Sequence, residues 1–285
     1  MKKSNLLLTL TVLVSSNMMA AHAQDKAIYG SDNRTDVYAS ESASFRELAK
    51  STAGMFPDRQ AKAGLFSKEI KLKGSSMSDR GLCSSERFSR QMSGAVCSGF
   101  LVSPTTLVTA GHCMKTMDDC KDNKWVFDYK VDSENQFDIS VPKSSVYKCK
   151  SIIKQTLTKT NDYALIELDR PVTDRQPLKI RQSGKPSVGD ELVVIGHPTG
   201  LPTKIADGAK VRALKGEFFV ANLDAFGGNS GSAVFNVKTE EVEGILVRGE
   251  ADYQRKVGAN CVIPVKCKDD ECRGEDVTYI GNLGI

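Results

Sequence analysis

From about residue 95 onward the chain alternates apolar and polar positions in short runs, separated by Gly, Pro, Asn and Asp. Runs of that length with a period of two read as half-buried strands. They predict strands near 95–102, 106–110, 125–130, 146–153 and 163–168, then a second set near 178–181, 191–196, 209–214, 217–223, 232–236 and 242–247. The charged, Pro-containing stretch from Asp169 to Pro177 separates the two sets. No long amphipathic helical pattern follows residue 90. Short, regularly spaced strands in two groups predict an all-β sandwich or a pair of barrels.

The first third of the chain reads differently. Ser42 to Met55 spaces Phe45, Leu48 and Ala49 like the face of a short helix, which Pro57 would end. The Gly-, Ser- and charge-rich stretch over 74–90 reads as an exposed loop. At the very start, Lys2 and Lys3 precede nine apolar residues from Leu6 to Val14, and Ala21-His22-Ala23 matches a small-x-small cleavage site. Nine apolar residues fall well short of the roughly 20 needed to span a bilayer as a helix. The expected organisation is a signal peptide at 1–23, an N-terminal extension or pro-segment at 24–90, a first β-barrel at 91–172, and a second β-barrel with the C-terminal segment at 173–285. The protein is expected to be secreted or periplasmic, with no transmembrane segment.

Composition narrows the function classes. With 40% hydrophobic and 26% charged residues among 285, the chain is globular and not disordered. Loss of Lys2 and Lys3 with the leader lowers the net charge from +4 to +2. Scattered charge at that level leaves no electrostatic footprint for nucleic acid. Eight cysteines, all beyond residue 23, are an even set that predicts up to four disulfides in an exported chain. Once His22 is removed, only His112 and His197 are left for imidazole chemistry.

Three segments supply a coherent chemistry. Cys97-Ser-Gly-Phe-Leu-Val-Ser-Pro-Thr-Thr-Leu-Val-Thr-Ala-Gly-His-Cys113 offers an imidazole, Asn161-Asp-Tyr-Ala-Leu-Ile-Glu-Leu-Asp169 a carboxylate opening a strand, and Gly227-Gly-Asn-Ser-Gly-Ser-Ala-Val234 a serine in a glycine-rich turn. A serine hydroxyl becomes a nucleophile only when a base takes its proton. The base holds one tautomer when a carboxylate engages its other nitrogen. Backbone N–H groups in a tight glycine turn can stabilise the oxyanion that forms. Asp118 and Asp119 rival Asp162 by sequence, but only Asp162 opens a cleanly alternating strand.

TAGHC, DYALIEL and GGNSGS, in the order His, Asp, Ser, resemble the chymotrypsin-like (trypsin-like) serine endopeptidases, and the Gly-Asn-Ser-Gly-Ser form is closer to the bacterial glutamyl-endopeptidase branch. The likeness runs from about Ala95 to Gly249. It implies two six-stranded antiparallel β-barrels with the active site between them. It further implies His112 as general base, Asp162 as its orienting partner, Ser230 as nucleophile, and the N–H groups of Gly228 and Ser230 as the oxyanion hole. Protein or peptide substrates follow, with no metal and no cofactor. The same likeness pairs Cys97 with Cys113. Cys120 with Cys149 is expected because both lie in the first half, leaving Cys83 to join Cys261, Cys267 or Cys272; a zinc site on those last four is the alternative.

The departures are equally specific. Where trypsin-type zymogens carry an Asp before the nucleophile, this chain has Asn229, so activation through that ion pair is not expected. Asp224, six residues before Ser230, stands where trypsins bind Lys or Arg, which suggests cleavage after basic residues. Ala225, Arg248 and Gly249 complete the implied substrate pocket; Ala225 and Leu246 replace the pocket threonine and histidine of glutamyl endopeptidases. His197, between turn residues, reads as structural or surface. The competing class, a catalytically silent protease-fold binding module, is opposed by a complete triad and oxyanion turn.

Overall fold

The computed structural model describes residues 27–64 and 66–285; the expected signal peptide lies outside the described residues. Six strands close the first barrel: β1 (Thr52–Pro57), β2 (Cys97–Ser103), β3 (Thr106–Thr109), β4 (Asn123–Val126), β5 (Val146–Leu157) and β6 (Asp162–Leu168). Around its wall they run β5, β6, β3, β2, β1, β4 and back to β5, every pairing antiparallel. Six more build the second: β7 (Glu191–Gly196), β8 (Lys204–Leu214), β9 (Phe218–Ala221), β10 (Ala233–Asn236), β11 (Val242–Arg248) and β12 (Glu275–Tyr279). Their order is β7, β10, β11, β12, β9, β8, closing again on β7. Closure removes the exposed edges that an open sheet of this size would present. Several strands, β6, β10 and β11 among them, are buried at nearly every position, because one face lines a barrel interior and the other packs against neighbouring elements.

The first barrel starts earlier than the sequence boundary at residue 91. Thr52–Pro57 pairs with both β2 and β4, so the barrel would be open without it. The helix is shorter than expected, Ala43–Ala49, begun by Ser42, whose Oγ accepts the Phe45 N–H at 3.2 Å. Pro57 ends strand β1 and does not end a helix. Residues 178–181 form no strand; Ile180 makes only an isolated bridge to Val242. Strand β12 escaped the pattern because it opens with Glu275 and Asp276, both buried.

The rest of the extension is woven into both barrels. Arg34–Asp36 lies antiparallel on β8, Ile28–Tyr29 runs parallel to Lys266–Cys267, and Glu69–Lys71 pairs with Ser140–Pro142. All eight cysteines are bonded: Cys83–Cys261, Cys97–Cys113, Cys120–Cys149 and Cys267–Cys272. Cys83 thus ties the extension to the C-terminal segment, and no thiol is left for a zinc site. Among the described residues, no helix is long and apolar enough to cross a membrane.

Candidate active site

Strand register brings the imidazole to the carboxylate. Ala164 of β6 faces Thr109 of β3 in an antiparallel pair, so the end of β3 and the start of β6 share one rim of the barrel. His112 follows β3 in a single helical turn, Gly111–Cys113, while Asp162 is the first residue of β6. The Asp162 carboxylate is fully buried and accepts twice from His112. Its Oδ2 lies 2.8 Å from Nδ1, and its Oδ1 receives the backbone N–H at 3.0 Å. Nδ1 therefore carries the proton, and Nε2 presents its lone pair to the cleft. Asp118 and Asp119 sit in the first turn of the helix Met117–Asp122, where Asp119 accepts the N–H of the N-cap Thr116 at 2.9 Å, so neither orients the histidine.

The serine reaches the same rim through the disulfide. Cys97 is bonded to Cys113, beside His112. The next residue, Ser98, donates its N–H to the Ser230 carbonyl at 2.8 Å. Gly231 closes the approach: it has φ +91°, and a Cβ there would lie 2.1 Å from the Ser98 carbonyl and 3.0 Å from the Ala110 nitrogen. Only glycine lets the serine turn come this near the histidine turn. Gly228, with φ +90°, packs as tightly on the loop that follows β7, its absent Cβ 2.6 Å from the His197 carbonyl. The turn is held by Asn229 N–H to the Phe226 carbonyl at 2.9 Å and by Ser232 Oγ to Asn229 Oδ1 at 3.1 Å. Asn229 thus serves the turn internally.

Ser98 also holds the glycine turn before Ser230. Its Oγ donates to the Gly228 carbonyl at 2.8 Å and accepts the His197 N–H at 3.0 Å. The carbonyl of the peptide that carries the Gly228 N–H, that of Gly227, accepts the Thr199 N–H at 2.5 Å. The Gly228 N–H has no protein acceptor among the described residues. Ser98 stands in the Cys97–Cys113 segment, yet its hydroxyl carries no sequence signal of this task.

His197 is wholly buried rather than at the surface. It stacks on Tyr129 with ring centroids 5.3 Å apart, and its Nδ1 meets the Leu201 carbonyl at 3.0 Å. Burial depresses its pKa to about 4, so the ring is neutral and structural.

Of the four residues expected to form the substrate pocket, Asp224 and Ala225 bond to the N-terminal segment, and Arg248 and Gly249 lie against β12. Asp224 is 4% exposed, and its two oxygens accept the backbone N–H groups of Tyr29 and Asn33, each at 2.7 Å. Burial pushes its pKa up to about 7 against the pull of those two donors. Ala225 donates its N–H to the Ala27 carbonyl at 3.2 Å. Arg248 Nε pairs with Asp276 at 2.9 Å, and Arg273 reaches the same carboxylate at 2.7 Å. Gly249 lies against the buried Glu275 carboxylate, where a Cβ would come within 1.8 Å of Oε2.

With this geometry in hand, comparison with known families is decisive. The model of the trypsin-like peptidase domain matches residues 97–245, more than half of the chain. The chain belongs to the trypsin-like peptidases. It is a serine endopeptidase by that membership. Among solved structures, a Glu endopeptidase in complex with MPD superposes with a TM-score of 0.51 at 15% identity, covering 90% of this chain and 96% of that one. The inactive form of Rv3671c from M. tuberculosis H37Rv gives a TM-score of 0.47 at 12% identity, over 90% of this chain and 93% of that one. At such identities the likeness is one of fold. No curated protein matches the sequence.

Proposed function

We propose that this trypsin-like peptidase is exported and hydrolyses peptide bonds through an acyl-enzyme on Ser230. The observation that carries the reading is the doubly bonded Asp162–His112 pair, set on the rim to which the Cys97–Cys113 bridge and Ser98 draw the serine turn. Ser230 Oγ attacks the scissile carbonyl while His112 Nε2 takes its proton. The oxyanion is met by the N–H groups of Gly228 and Ser230. His112 then protonates the leaving amine as the C–N bond breaks, and water repeats the sequence to release the acyl half. Removing one oxyanion donor in such a site raises the barrier by about 2.7–4 kcal/mol. Four disulfides in the described chain support an oxidising compartment, periplasmic or extracellular.

For the residue before the scissile bond, the Asp224 argument for Lys or Arg loses its ground. Both oxygens of that carboxylate are engaged by the backbone of 29–33, so Asp224 acts as a staple for the N-terminal segment. A silent binding module has no observation in its favour, since every position of the triad and its turn is filled.

The test is intact mass after treatment with a fluorophosphonate. One adduct per chain, absent from Ser230→Ala, is the expected result. Absence of labelling in a folded wild-type protein would overturn the reading.

A further inference from the structure

A cleft of about 700 Å³ opens beside the oxyanion turn, lined by Gly227 and Gly228 and by Val96, next to the Cys97–Cys113 bridge. The Asp224–Gly249 cluster lies elsewhere, around 27–33 and β12, and contributes nothing to its lining. In a protease of this reading His112 protonates the leaving amine, and Cys113 beside it is bonded to Cys97, the neighbour of the cleft-lining Val96. The cleft beyond Gly228 therefore receives the leaving half.

Three cations line it: Arg59, Lys73 and Arg80. All are exposed, and none is within ion-pair distance of a carboxylate among the described residues. The one acidic side chain in the wall, Asp252, accepts the Gly227 N–H at 2.8 Å and so supports the oxyanion turn. Arg80 is linked to that turn, and Arg59 and Lys73 are fastened to each other. Arg80 bonds Ser93 Oγ, which donates to the Thr199 carbonyl at 2.5 Å; the Lys73 N–H donates to the Gln60 carbonyl at 3.0 Å, fastening the Arg59 turn to the Lys73 loop. All three come from the part of the chain that precedes the family-model match at residue 97.

We propose that this cleft selects substrates with an acidic side chain within the first three residues after the scissile bond, and that the N-terminal extension is a specificity element of the enzyme. The inference rests on the serine-endopeptidase reading above. Three cations with no acidic partner among the described residues raise the potential where a carboxylate would arrive, and the polypeptide leaving group must pass there.

The experiment uses quenched-fluorescent peptides with a fixed acyl half and amidated C-termini. Asp or Glu replaces Asn or Gln at each of the three leaving-side positions in turn. The acidic member of at least one pair is expected to show about five- to tenfold higher kcat/KM, a ratio that shrinks in high salt. Arg59→Glu/Lys73→Glu, which breaks no side-chain bond among the described residues, is expected to bring the ratio to one or below. Ratios near one in the wild type, or unchanged ratios in a double variant with the wild-type melting temperature, would overturn the proposal. Acceleration confined to peptides with a free C-terminal carboxylate would also overturn it, by assigning the cations to a chain end. Fluorophosphonate labelling of the same wild-type sample separates these outcomes from failure of the underlying reading, in which no adduct forms and no peptide is cut.

Discussion

The Asp224 carboxylate accepts the Tyr29 backbone N–H at 2.7 Å across 195 residues of sequence. A position that a motif comparison assigns to substrate is bonded to the start of the described chain, and Asn33 takes its other oxygen. Asp224→Ala would strand two backbone donors, each at about 1–3 kcal/mol. Denaturant unfolding should report that loss, while the ratio of cleavage after Lys to cleavage after Leu stays as in the wild type. Unchanged stability with a collapsed Lys preference would return Asp224 to the substrate pocket.

Asp162→Asn keeps the size of the side chain and removes its charge. The amide then offers a donor where Nδ1–H needs an acceptor, and the imidazole turns to the wrong tautomer. A fall in kcat on the order of 10³–10⁴, with a much smaller change in KM, is expected. The rate of fluorophosphonate labelling should fall in parallel. A kcat within tenfold of wild type would show that His112 needs no such partner.

His197 gives the fold a definite response to acid. Its folded pKa, about 4, lies below the ordinary 6.5, so the unfolded chain binds the extra proton between those values. Stability should therefore drop as pH falls from 6.5 toward 4. Asp224, raised from 3.8 to about 7, acts oppositely: its contribution is full below 3.8 and fades as pH rises through 7. Comparing wild type with His197→Asn isolates the imidazole, since Asn can keep the donor to the Leu201 carbonyl. Equal pH slopes for the two proteins between 4 and 6.5 would refute the assignment.

Lys204 is 1% exposed and is satisfied by Asp36, by Gln91 Oε1 at 2.7 Å and by the Pro202 carbonyl at 3.1 Å. Burial brings its pKa down to about 8 even beside that carboxylate. Lys204→Met leaves Asp36 as a buried charge without its cation, at about 3–5 kcal/mol. Lys204→Met with Asp36→Leu should recover much of the loss in thermal melts. A double variant as unstable as the single would place the cost in packing and not in the stranded charge.

The hydrophobic pattern alone determined most of the strands after residue 95, and residue type with spacing singled out His112 and Asp162, which the structure brings into contact, and Ser230, the nucleophile we propose. The pairing of Cys120 with Cys149 was legible for a related reason, since both lie in one barrel. Tertiary structure decided the rest. Thr52–Pro57 became a barrel wall because strands from far along the chain flank it on both sides. Glu275 and Asp276 opened a buried strand because Ala27, Arg248 and Arg273 supply the donors that let carboxylates enter a core. The Ser98 hydroxyl, the Asp224 staple and the cations beside Gly228 depend on contacts between residues tens to hundreds of positions apart. Local pattern carries the energetics of neighbours; it holds no record of which distant N–H or carboxylate will complete a side chain's hydrogen bonds.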